Sequence, residues 1–159
     1  VSFPFEVMNL QRVTNCVLQY ENHILMLKKP RRNWYAAPGG KMEPGEHIQQ
    51  SVRREFSEET GLTLIDPELK GVFTFVIKED DQTIDEWMMF TFSSRQYQGT
   101  LNEYCREGEL EWVPVSDVLN KDMAEGDQVI YKHILNRNDV LYGTFTYTSN
   151  DELLSFQVD

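Results

Sequence analysis

With 159 residues, 40% of them hydrophobic, the chain is long enough to bury a core and short enough to make one domain over residues 1–159. Fifteen Lys and Arg against 26 Asp and Glu leave a net charge of −11, which argues against duplex nucleic acid or an anionic membrane as the main partner. The N-terminal VSFPFEV has no basic region, no apolar run is long enough to span a bilayer, and Cys16 and Cys105 sit in no metal or redox spacing, so the sequence reads as a cytoplasmic protein with reduced thiols.

Met8 followed by Asn9 reads as a native start, which makes residues 1–7 a flexible extension. Residues 13–20 and 24–28 are apolar runs separated by the polar Glu21-Asn22-His23, a predicted hairpin. Residues 72–78 alternate, and residues 87–92 are nearly continuous, as expected of a strand covered on both faces. Residues 111–115 form a short strand with Pro114, residues 127–135 have helical spacing through Val129, Ile130 and Ile134, and residues 141–148 with 153–158 make a last hairpin about Ser149-Asn150-Asp151. The order predicts an α/β layered domain with a mixed central sheet and two helices.

One of those helices carries the chemistry. Pro44 and Gly45 break the preceding loop, Gly61 supplies a left-handed stop, and Ile48, Val52 and Phe56 recur every four residues as one apolar stripe. At about 100° per residue from Ile48, Glu59 falls at about 20° and Glu55 at about −20°, inside the arc of the stripe, with Glu58 at about −80° on its flank. Three carboxylates at i, i+3 and i+4 repel by roughly 0.2–0.5 kcal/mol per pair. Half-buried carboxylates must be paired, protonated or bound to a metal, and Arg54 alone cannot neutralise all three. A solvated face with incidental pairing, the ordinary reading of a charge run, would put Glu55 and Glu59 on the far side. Oxygen-only ligation, with His47 only at the helix start, favours Mg2+ or Mn2+ over zinc or copper. Magnesium usually bridges to phosphates, so the substrate reads as a polyphosphate.

The full run from Gly40 through Glu46, Arg54-Glu55, Glu58-Glu59 and Gly61 to Leu62 resembles the complete Nudix box, with Phe56 where the family more often has an aliphatic residue. The resemblance implies a Nudix-type α/β/α sandwich in which the catalytic helix follows a Gly-rich loop, and hydrolysis of a nucleoside diphosphate linked to another group. EWMMFTF, KDMAEGDQV and TFTYTSNDELLSFQVD are similar, more weakly, to the 8-oxo-dGTP diphosphatase branch. On this basis Glu55 and Glu59 are metal ligands, Glu58 is a further ligand or the water-activating base, Arg54 holds a glutamate in place, and the Gly39 carbonyl is a ligand. Glu107, five residues before Trp112, resembles a loop metal ligand of that branch, and is otherwise a plain solvated glutamate; Glu109 shares its loop. Glu46 reads as an acidic residue of the first helical turn or as a support for the ligands. The family often forms homodimers, though no segment here marks an interface.

For the substrate, Lys41 reads as a phosphate contact or as a solvated loop lysine, and Lys28, Lys29, Arg31 and Arg32 supply a basic run, unless they are a solvated turn about Pro30. Trp34 and Tyr35 immediately precede the Gly-rich loop, and Phe73, Phe75, Met88 and Phe90 lie on neighbouring strands; most of these read as core, and Tyr35 is the one expected, as readily as core, to line a base pocket. Asp127 matches an acid of the oxidised-purine branch that reads a purine edge. The branch's tryptophan and second acid are Ala124 and Gly126 here, and its asparagine just after a tryptophan is Tyr35. The resulting expectation is Mg2+-dependent hydrolysis of a purine nucleoside triphosphate, oxidised or not, to monophosphate and pyrophosphate. ADP-ribose, dinucleoside polyphosphates or RNA 5′ ends are the alternative substrates, and a nucleotide-binding module without catalysis is the alternative class.

Overall fold

Alternation of residues along the first strand sets the layers. In the computed structural model, which describes residues 10–159, β1 (Gln11–Tyr20) turns Cys16 and Leu18 to one face and Val17 to the other. The extension expected at residues 1–7 lies outside the described residues. β1 and β2 (His23–Lys28) form the predicted hairpin about Glu21 and Asn22, both at positive φ (50° and 62°). His23 has already joined the ladder opposite Tyr20.

After β2 the chain makes two short strands, β3 (Tyr35–Ala36) and β4 (Gly39–Lys41), then α1 (Ile48–Thr60). There follow β5 (Leu62–Ile65), β6 (Glu68–Glu79), β7 (Gln82–Ser94), β8 (Gln96–Gly99) and β9 (Glu109–Pro114). A 3-10 helix (Val115–Asn120), α2 (Glu125–Asn136), β10 (Leu141–Thr148) and β11 (Leu153–Val158) complete the fold. The main sheet runs β11-β10-β6-β7-β1-β2-β3, with β4 added on β1 and β9 on β2, while β5 and β8 make a separate ribbon. It is mixed because β1 lies parallel to β7 and β10 parallel to β6, within otherwise antiparallel pairings.

Helix α1 covers one face, packing Val52 and Phe56 on Cys16, Leu18, Leu25 and Phe92. On the other face α2 and the 3-10 helix bury Tyr131 and Val118 against Val17, Ile24, Met26 and Val113. This is an α/β/α sandwich. A third cluster lies under α2, where Phe75 stacks on Trp87 at 4.2 Å and on Phe145 at 5.4 Å between ring centres. Aromatic pairs of this kind add about 0.5–1.5 kcal/mol beyond burial.

Candidate active site

Two short strands bring the Gly-rich loop onto β1. Gly39 pairs with Asn15 and Gly40 with Thr14, and the buried Thr14 and Ser51 hydroxyls, 2.8 Å apart, tie β1 to α1. The glycines are there for space. A Cβ on Gly39 would sit 2.0 Å from the Thr14 carbonyl oxygen, and one on Gly40 would sit 2.1 Å from a Glu55 carboxylate oxygen. Glu55 therefore lies directly against the loop backbone.

Helix α1 starts with a capping box: His47 Nδ1 accepts from the Gln50 amide at 3.2 Å and Gln50 Oε1 accepts from the His47 amide at 3.0 Å. It stops at Gly61 in the left-handed region (φ 80°), with Gly61 N–H donating to the Ser57 carbonyl. Glu46 consequently precedes the cap, and the first turn holds no acidic residue, contrary to the first-turn alternative. Its carboxylate instead takes a two-pronged bond from Arg54, 2.7 Å at Nε and 2.9 Å at Nη2, and a third from the Glu43 amide at 2.8 Å. These bonds pull its pKa down to about 2.

Arg54 is the hub of the acidic cluster. Nη1 also donates to Glu55 Oε1 at 2.9 Å and Glu58 Oε2 at 3.2 Å, and Nη2 to the Lys41 carbonyl at 3.1 Å. Glu59 is placed differently: it is half-buried beside Gly39, and its Oε2 is buried with no partner. Burial pushes its pKa up to about 7, against the pull of the Gly39 amide and Lys29, with Glu107 and Glu55 adding to the rise. Glu58 is exposed, as is Glu107, which nevertheless stands near enough to act on Glu59.

Among the described residues no three acidic, histidine or cysteine side chains are gathered tightly enough to hold a metal ion as they stand. Glu55 and Glu58 are turned onto Arg54. The donor set nonetheless fits a hard cation, because Glu59 carries an orphaned buried oxygen and the Gly40 cradle holds the Glu55 carboxylate beside the same loop.

From this corner a cleft of about 690 Å³ opens along the sheet, lined by Lys29, Trp34, Gly39, Gly40, Lys41, Phe75, Trp87, Met89 and Asp127 among others. Trp34, Lys41 and Asp127 thus share one cleft with the loop. Burial pushes the Asp127 pKa up to about 6, opposed by Lys29. Lys29 lines the cleft and acts on both Glu59 and Asp127. Sequence reading had counted it only as one cation in a run.

Two expectations for the cleft are corrected. Tyr35 does not line it: next to Trp34 on an extended strand it points the opposite way, into the core under α2, and its hydroxyl donates to Glu111 Oε1 at 3.0 Å. Arg32 does not line it either, because its guanidinium is held by the Asn150 carbonyl at 3.0 Å and Asp151 at 3.3 Å, 5.1 Å above the Trp34 ring. On β7 the alternation sorts the apolar residues between the two faces. Trp87 and Met89 face the cleft, whereas Phe90 packs on the α1 side. Gly126 has a reason to lack a side chain, since a Cβ there would lie 2.6 Å from the Tyr147 hydroxyl, which accepts from the Gly126 amide at 2.7 Å.

The NUDIX domain family matches residues 9–134. The chain belongs to the Nudix hydrolases. These enzymes split phosphoanhydride bonds of small nucleotide substrates, generally with a divalent metal. Among relatives of this Nudix hydrolase, the uncharacterised Nudix hydrolase YvcI of Bacillus subtilis is 53% identical over 94% of this chain and 95% of its own. The crystal structure of a mutator MutT protein from Bacillus halodurans superposes with a TM-score of 0.92 at 49% identity, covering 94% of this chain and 98% of that one. An oxidised purine nucleoside triphosphate hydrolase of Mus musculus is 24% identical over 95% of this chain and 96% of its own. Among the described residues of this Nudix hydrolase, no helix is long and apolar enough to cross a membrane.

Proposed function

We propose that this Nudix hydrolase converts a purine nucleoside triphosphate, with oxidised purines among the substrates, to the monophosphate and pyrophosphate, as a cytoplasmic enzyme. The observation that carries the reading is that the Gly39-Gly40 loop, against which the Glu55 carboxylate packs, also lines an aromatic-walled cleft that contains Asp127. A flat base packs on such a wall, and an acid in the same cleft suits its edge. The mouse relative acts on the same substrate class.

Glu55, Glu59 and the Gly39 carbonyl would hold Mg2+ or Mn2+, which when bound would neutralise phosphate charge and acidify water. The remaining work falls to the chain's own groups. Lys29 and Lys41, both in the cleft wall, offer ammonium groups to the phosphates. Arg54 positions Glu55 and Glu58 through the bonds already described. We assign Glu58 as the base that takes the proton of the attacking water, because it is exposed at the corner and accepts only a 3.2 Å bond from Arg54. Glu107 is the comparator for that role.

The test is incubation with Mg2+ and a panel of canonical and oxidised nucleoside triphosphates, ADP-ribose, dinucleoside polyphosphates and 5′-triphosphate RNA, with product identification. Pyrophosphate plus a purine monophosphate is the expected result. Preference for ADP-ribose, a dinucleoside polyphosphate or RNA would overturn the triphosphate reading, and binding without turnover would identify a non-catalytic module. Glu58→Gln is expected to lower turnover by about 100-fold or more while the fold persists.

A further inference from the structure

Asn15 is an unusual guest in the cleft wall. It sits on β1 one residue beyond Thr14, whose side chain is buried against α1, so the pleat turns Asn15 to the opposite face, where it lines the cleft with Val13, Phe75 and Met89. Its carboxamide is poorly provided for. Nδ2 donates only to the Met89 sulfur at 3.4 Å, a weak acceptor, and Oδ1 is buried with no partner. A buried amide lacking a full hydrogen bond costs about 1–3 kcal/mol, so a residue that served packing alone would be better replaced by leucine.

The other polar groups at this depth narrow the role. The Tyr147 hydroxyl is committed to the Gly126 amide at 2.7 Å, and Tyr35 is turned away onto Glu111. Gly126 offers no side chain, and Ala124 offers only a methyl group. Asn15 and Asp127, with Lys29 acting on the latter, are polar side chains of the cleft left without a hydrogen-bond acceptor or donor of full strength beside the walls of Phe75, Trp87 and Met89. A carboxamide presents a donor and an acceptor side by side, and this pair matches a base edge carrying an adjacent acceptor and donor, as on the purine ring.

We propose that Asn15 is a specificity-determining residue that hydrogen-bonds the edge of a purine base in the cleft, with Asp127 as its companion. The inference rests on the nucleotide reading above and deepens it by naming which side chain reads the base. Asn15 acts on binding of the base and leaves the phosphates to the acidic corner. Its loss therefore changes KM far more than kcat, and only for substrates that carry a base.

The experiment compares the intact protein with Asn15→Leu, which keeps the size and removes both polar atoms, and with Asn15→Asp, which keeps the shape and removes the donor. Two readouts are taken: kcat and KM for the best purine triphosphate of the panel and for the base-free ribose triphosphate, and the Kd of the matching purine monophosphate from quenching of Trp34 and Trp87 fluorescence. The expected result is a rise of about 10- to 100-fold in KM and Kd for the purine with Asn15→Leu, with kcat and the base-free substrate within about 2-fold of the parent, and a changed ranking of bases with Asn15→Asp. Thermal melting identifies a variant that fails to fold, and Asn15→Asp then decides the matter alone. Parental KM and Kd for the purine in a folded variant would overturn the role of Asn15, as would an equal loss on the base-free substrate; either result leaves the hydrolase reading standing. Absence of turnover on every nucleotide by the parent protein would overturn both.

Discussion

Replacing Asp127 by Asn should stabilise the protein, and by an amount that grows with pH. Asp127 is half-buried at the N-terminus of α2, and burial lifts its carboxyl from 3.8 up to about 6, Lys29 being too weak a partner to cancel the effect. A carboxyl whose pKa is higher in the folded state binds its proton more tightly there, so folding is favoured most at low pH and loses ground as pH rises from 3.8 through 6. At about 1.36 kcal/mol per pH unit the full difference is about 3 kcal/mol, and solvent screening at a half-buried position trims it to about 1–3 kcal/mol. For a chain of this size that is roughly 3–9 °C in Tm. The assay is thermal melting of the parent and Asp127→Asn from pH 4 to pH 8 at constant ionic strength, reading only the difference between them. The variant should melt higher at pH 8, and the two should converge towards pH 4. A gap that does not change with pH, or a variant less stable at pH 8, would refute the placement of an unpaired carboxyl in a desolvated site.

Further outcomes follow from the loop and the corner. Gly40→Ala sets a methyl group against the Glu55 carboxylate, the end of a side chain, so activity should fall by about 100-fold with Tm nearly unchanged; Gly39→Ala meets the Thr14 carbonyl and the Asn15 backbone instead, and should cost about 3 kcal/mol of stability in denaturant titration. Stripping divalent metal with EDTA should abolish turnover, and Mg2+ or Mn2+ should restore it; full activity after chelation would count against the oxygen ligand set. Arg32→Ala should leave KM within about 2-fold and Tm within a few degrees, because its exposed ion pair with Asp151 is worth about 1 kcal/mol at most. A large rise in KM would return Arg32 to the substrate.

The acidic helix was readable because a 3.6-residue period and a glycine stop are local properties. Ile48, Val52 and Phe56 defined the buried stripe, and the same projection placed Glu55 and Glu59 beside it, where they are half-buried. The hairpins at Glu21-Asn22 and Ser149-Asn150-Asp151 were equally local. What escaped was set by long-range pairing. β3 and β4 are too short to show a period, yet they decide that Trp34 enters the cleft while Tyr35 leaves it. On β7 an unbroken apolar run hides which face is which, so Trp87 and Met89 could not be told from Met88 and Phe90 until Gln11 paired with Trp87. Lys29 and Asn15 carried no motif, and their place depends on the assembled sheet.

Thr14 and Asn15 are adjacent on β1, one touching the helix that bears the carboxylates and the other the cleft. Consecutive Cα atoms are separated by about 3.8 Å, a distance the planar peptide does not allow to vary. The helix-facing and cleft-facing parts of the site are therefore joined through a single peptide unit, so a shift of β1 carries both together.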